Sequence, residues 1–168
     1  MKKTMIITLV IVMCIALLAG CGKKEKEEQT GVVNPVKTFE SFNEQQAALG
    51  IGLEAPAGAE NVRYQGINKM AETQFTLDGV DYFYRAEATD GTKCYDISGL
   101  YYTFDNTQNG TVKEREAVAS TCKDAGFVMW LDIVTGVNYN LGTASKTDAD
   151  KLFEVAELAF VPMQGNAG

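Results

Sequence analysis

The spacing of hydrophobic and polar positions changes several times along this chain, and each change marks an element. Ile6 to Leu18 is apolar apart from Thr8. Residues 22–33, GKKEKEEQTGVV, then mix charges and hold no aromatic residue, the composition of a solvated tether. Asn34-Pro35-Val36 opens the folded part, with Pro35 biasing Asn34 toward an extended backbone. Ser41 to Leu49 has the pattern of a short helix. Ser41 and Glu44 make a capping box, and Gly50 stands where a C-terminal glycine belongs. Period-two alternation follows: Asn61 to Ile67, Glu72 to Leu77 and Val80 to Ala88 read as strands. Asp78-Gly79 between the last two is the strongest hairpin signal in the chain. Leu100 to Phe104 reads as a strand, 105–110 (DNTQNG) as a loop, and Thr111 to Cys122 as one strand of mixed character. Phe127 to Val134, apolar except for Asp132, reads as a central strand, and Val137 to Leu141 as the next. A last helix is capped at Thr147 and carries Asp148 and Asp150 in its first turn. Leu152, Val155, Ala156, Ala159 and Phe160 share one of its faces, and Pro162 ends it.

Short connections between strands imply antiparallel pairing. The expected fold is α+β: a curved antiparallel sheet of about six to eight strands, with the N-terminal and C-terminal helices packed on one face. The chain divides into a targeting segment (1–20), a tether (21–33), one domain (34–164) and a short tail (165–168).

The first apolar run, at about 13 residues, would span about 20 Å as a helix, short of the roughly 30 Å of a bilayer core. With Lys2 and Lys3 before it, the run reads as a secretory signal rather than a membrane span. Leu18-Ala19-Gly20-Cys21 resembles the lipobox of bacterial lipoproteins at all four positions. The resemblance implies cleavage before Cys21 and a thioether from Cys21 to diacylglycerol. The partner is then the membrane, and the mature chain sits on the extracytoplasmic face of the cell membrane. Two acyl chains make such an anchor stable, where one would bind only marginally. An ordinary cleaved signal with an incidental cysteine and an uncleaved N-terminal helix are the alternatives.

Charge and composition narrow the chemistry. The net charge of −7 becomes −9 once residues 1–20, with Lys2 and Lys3, are removed. A dispersed acidic surface argues against nucleic acid as a partner and against binding anionic lipid by charge. There is no histidine, so Ser-His-Asp and Cys-His catalysis and histidine metal sites are excluded. No Gly-x-Ser-x-Gly, Ser-x-x-Lys or phosphate-binding loop is present. Asp148, Asp150, Glu154 and Glu157 are explained by helix capping and a solvated helix face, and the 105–110 loop lacks the later ligands of a calcium loop. No catalytic, cofactor or metal site is expected. A small hydrolase using paired Asp/Glu acids and a structural envelope protein are the alternatives to a binding domain. Cys94 and Cys122 are candidates for a disulfide outside the cytoplasm, with two half-buried thiols as the other reading.

The strands are rich in aromatic residues. Neighbours along a strand face opposite ways, so Tyr82 and Tyr84 lie opposite Phe83, and some rings must face away from a one-sided core. Tyr82, Tyr84, Tyr101 and Trp130 are the candidate ligand face, suited to stacking a sugar ring or gripping a peptide. Arg85 is a candidate ion-pair partner for an acid on a neighbouring strand.

Asn34-Pro35-Val36, Leu49-Gly50, Ala55-Pro56, Ala59-Glu60-Asn61-Val62, Leu77-Asp78-Gly79, Tyr84-Arg85-Ala86, Asp96-Ile97-Ser98-Gly99-Leu100-Tyr101 and the Trp130 strand together resemble a family of uncharacterised domains found in lipoproteins and single-span membrane proteins of Gram-positive bacteria. The family is similar to modules proposed for extracytoplasmic sensing. The resemblance carries over no activity and no catalytic residue. With no histidine and no catalytic motif, the expected function is that of a non-enzymatic domain that binds a ligand or an envelope partner, such as a protein, peptide or glycan.

Overall fold

The computed structural model describes residues 36–162, which fall in one compact unit. The apolar run, Cys21, the tether and residues 165–168 lie outside the described residues. The elements are β1 (Val36–Phe39), α1 (Phe42–Leu49), β2 (Glu60–Ile67), β3 (Met70–Leu77), β4 (Val80–Ala88), β5 (Asn106–Val112), β6 (Arg115–Thr121), β7 (Gly126–Asp132), β8 (Val137–Thr143) and α2 (Ala149–Ala159). All eight strands form one sheet in the order β1-β2-β3-β4-β8-β7-β6-β5, with every pairing antiparallel. Two four-stranded meanders are thus joined through β4 and β8, and the fold is α+β with a curved sheet and two helices, as expected.

Local signals account for most of these elements. The Ser41 side chain accepts from Glu44 N at 3.3 Å, and Glu44 Oε2 in turn accepts from Glu40 N at 2.8 Å. The β3–β4 turn has φ of 52° at Asp78 and 76° at Gly79, the two positive values that an Asp-Gly hairpin supplies. At α2 the cap is Asp148 rather than Thr147: Asp148 Oδ1 accepts from Lys151 N at 2.8 Å.

Both helices cover one face of the sheet. Its core holds Phe75, Tyr82, Tyr84 and Ala86 from β3 and β4, and Val128, Trp130, Tyr139 and Leu141 from β7 and β8. Leu152, Val155, Ala156 and Phe160 from the α2 side lie against them. Trp130 stacks on Tyr139 at 5.3 Å and 7° and meets Phe160 edge-on at 5.4 Å. Burial pushes the phenols of Tyr84 and Tyr139 well above the ordinary tyrosine range, because ionising either would place a charge in this apolar layer.

Three sequence expectations are corrected. Leu100 to Phe104 is not a strand; it belongs to an irregular segment, 89–105, that lies across the second face of the sheet. Residues 105–110 are not a loop but mostly β5, an outer strand of the sheet. Thr111 to Cys122 is not one strand, because the chain turns at Lys113-Glu114, where φ is 42° and 68°. That turn lacks the usual Asn-Gly or Asp-Gly pair, and distant contacts hold it instead. Lys113 N donates to Glu157 Oε1 of α2 at 2.5 Å, and Arg115 Nη1 donates to Lys113 O at 2.8 Å.

Candidate functional site

The second face of the sheet is divided by the 89–105 segment, and a buried polar seam holds that segment down. Register places Glu72, Arg85 and Asn140 side by side on β3, β4 and β8. Arg85 Nε donates to Glu72 Oε2 at 2.5 Å, the ion pair with a neighbouring strand that the sequence suggested. Arg85 Nη1 donates to Ile97 O at 3.0 Å and also to Ser98 O. Asn138 Nδ2 donates to Tyr95 O at 2.8 Å, and Asn140 Nδ2 donates to Asp96 Oδ1 at 3.2 Å. The segment's backbone carbonyls thus find donors on the sheet, which lets a stretch without regular structure lie over a half-buried surface.

On one side of the seam is a cleft of about 430 Å³, lined by Asn61, Arg63, Gln74, Thr76, Asp81 and Phe83, with Ala144 and Ser145 at its rim. Pleating puts Phe83 here, on the face opposite Tyr82 and Tyr84. Gly142, directly across on β8, makes the room: a Cβ there would lie 2.6 Å from Phe83 Cζ. The Arg85 guanidinium carbon sits 5.1 Å from the Phe83 ring centroid, so the ring is fixed by a cation–π contact as well as by packing. Gln74 and Arg63 continue the same cross-strand row. Along the rim, Asn61 Nδ2 donates to Thr76 Oγ1 at 3.2 Å, and Thr76 Oγ1 donates to Asp81 Oδ1 at 2.7 Å. Among the described residues Arg63 forms no ion pair, and Asp81 is the one carboxylate lining the cleft.

On the other side of the seam is an apolar groove of about 620 Å³, floored by Val118, Met129 and Leu131 and running out to Ile133 and Val134 at the β7–β8 tip. Cys94, Glu114 and Glu116 stand at its rim.

The expected ligand face is corrected. Tyr82, Tyr84 and Trp130 are buried in the helix-side core, with Tyr82 also contributing to the lining of the Phe83 cleft, and of the four named rings only Tyr101 is open, at 99% exposure. Alternation correctly separated Tyr82 and Tyr84 from Phe83, but helices α1 and α2 cover the tyrosine side, which leaves Phe83 beside the solvent. Of the two readings of Cys94 and Cys122, a disulfide or two thiols, the structure has the second, with both cysteines free. Cys94 lies beside Asn138, which pairs with Leu131 near the end of β7, whereas Cys122 N donates to Ala125 O just before β7 begins. A strand of this length separates them by about 20 Å, while a disulfide needs Cα atoms within about 7 Å. The Cys94 residue is exposed, yet its Sγ turns inward to donate to Asn138 Oδ1 at 3.3 Å. Burial pushes this thiol up to about 11, which leaves it protonated at neutral pH and a weak nucleophile. Asp148 caps α2 and Asp150 accepts from Gln108, and no group of three or more potential metal ligands occurs among the described residues. Among the described residues no helix is long and apolar enough to cross a membrane.

No family model, no curated protein and no solved structure matches this chain.

Proposed function

We propose that this is a non-enzymatic, lipid-anchored domain of the extracytoplasmic face, and that the Phe83 cleft binds a polyhydroxylated, glycan-like ligand. The observation that carries this reading is the side-chain set of the cleft. A half-buried ring offers a stacking surface for the apolar face of a sugar, and the amides of Asn61 and Gln74, the Arg63 guanidinium and the Asp81 carboxylate offer planar donors and acceptors for hydroxyl groups. Binding is favoured over hydrolysis because two-carboxylate glycoside chemistry needs a second acid across the cleft from Asp81.

Titration of the mature chain with cell-wall amino-sugar oligomers, followed by NMR, tests the site. Resonances of Phe83, Gln74 and Arg63 should move on titration. Phe83→Leu keeps a side chain against Gly142 but removes the ring face, and should weaken binding about tenfold. Unchanged affinity in Phe83→Leu, or shifts confined to the far side of the seam, would sink the glycan reading.

The lipid anchor rests on Leu18-Ala19-Gly20-Cys21 and is tested apart from the cleft. In cells, Cys21→Ser should leave a full-length, unacylated precursor by mass spectrometry. A Cys21→Ser chain cut at the same position would refute it.

A further inference from the structure

The strand registers divide the sheet into two unlike ends. At one end lie Val36, where the described chain begins, the β2–β3 turn at Asn68-Lys69, the β5–β6 turn at Lys113-Glu114, and the β7–β8 tip. At the other end lie the β3–β4 turn, the start of β7 and the start of α2. Exposed aliphatic side chains follow this division. Ile133 and Val134, 77% and 74% exposed, form the β7–β8 tip, and Val36 is exposed at the head of β1. Exposed Leu158 and Val161 flank the last turn of α2, whose Glu157 reaches the β5–β6 turn. The other exposed large hydrophobic residues are tyrosines of the 89–105 segment.

Two neighbouring apolar side chains at the tip of a tight hairpin have no core to cover. Their apolar surface continues into the groove floored by Leu131, Met129 and Val118. Fourteen residues lie between Cys21 and Val36, a contour of at most about 50 Å, so an anchor at Cys21 would tether the protein to the lipid by this end of the sheet. Burial of Ile133 and Val134 in the interface is favourable there.

We propose that the β7–β8 tip, Ile133 and Val134, is a bilayer-contacting element that seats the aliphatic end of the sheet on the membrane and turns the Phe83 cleft outward. The occupant of this apolar surface is the lipid interface itself. The inference rests on the anchored reading of Cys21, and its test imposes the anchor chemically so that the two can fail separately.

The mature chain from Cys21, carrying Cys94→Ser and Cys122→Ser, is coupled through its one remaining thiol to a maleimide lipid in vesicles of phosphatidylcholine and phosphatidylglycerol. Trp130 is fully buried and provides a constant background. Ile133→Trp reports the tip and Asp124→Trp the far end, each read by quenching from nitroxide-labelled lipids. Ile133→Trp should be quenched at least about twofold more than Asp124→Trp, with a blue-shifted emission. Adding Val134→Asp to Ile133→Trp should remove that difference. Equal quenching at the two ends, a difference that survives Val134→Asp, or self-association through the tip without vesicles overturns the proposal. Whether cells acylate Cys21 is reported separately by the mass of the processed chain.

Discussion

Trp130→Ala should cost about 4 kcal/mol of stability, a large share of the 5–15 kcal/mol that holds a domain of this size together. The ring is fully buried, lies almost parallel to Tyr139, stacks on Tyr84 at 5.9 Å and meets Phe160 edge-on. Removing it opens a cavity bounded by β7, β8 and the end of α2, where the backbone of a paired strand cannot collapse inward. Trp130→Phe should cost only about 1 kcal/mol. It keeps an aromatic ring in the stack and removes the indole Nε1, a buried donor with no partner. Urea unfolding read by far-ultraviolet circular dichroism would show a large drop in midpoint for Trp130→Ala and a small one for Trp130→Phe. Equal losses would mean that the indole itself, and not the filled volume, holds the layer together.

Glu72→Ala should cost about 3 kcal/mol, because it strands a charge rather than because it deletes a favourable contact. Glu72 is 2% exposed and the Arg85 side chain 18% exposed, so the guanidinium left behind has little access to water. It would keep the carbonyls of Ile97 and Ser98 but lose its counter-charge. The double variant Glu72→Met, Arg85→Met should recover much of the lost stability, since neither charge is then left buried. In Glu72→Ala the 89–105 segment should also loosen before the sheet does, seen as faster amide exchange at Ser98 and Leu100, whose N–H groups donate within that segment. A double variant as unstable as Glu72→Ala would show that the pair contributes directly to folding and that desolvation is the smaller term.

The candidate site was only half legible from sequence, for reasons that can be located on particular residues. Pleating fixes that Phe83 points away from Tyr82 and Tyr84, and alternation alone shows it. Which of the two faces meets water depends on where α1 and α2 dock, and no local signal carries that. The Lys113-Glu114 turn and β5 were hidden for a related reason. Lys-Glu is not a turn-forming pair, and NTQNG has loop composition. What makes them a turn and a strand is Glu157 reaching back from α2 and the paired edge of β6. The pairing of Cys94 and Cys122 was open in the sequence because spacing says nothing about which end of β7 each cysteine occupies.

Local chemistry, by contrast, was sufficient where an element closes on itself within a few residues. Ser41 and Glu44 start α1, Asp78-Gly79 makes the β3–β4 hairpin, the apolar stripe from Leu152 to Phe160 makes α2, and strand alternation implies an antiparallel α+β sheet. Each of these depends on backbone preference and side-chain period, which the sequence carries by itself. The buried Glu72–Arg85 seam, the open Phe83 cleft and the gathering of Val36, Ile133 and Val134 at one end depend on which strands become neighbours. Only the tertiary structure decided those, because β4 and β8, distant in sequence, must pair before Arg85 meets Asn140, before Gly142 can make room for Phe83, and before the two meanders share an end.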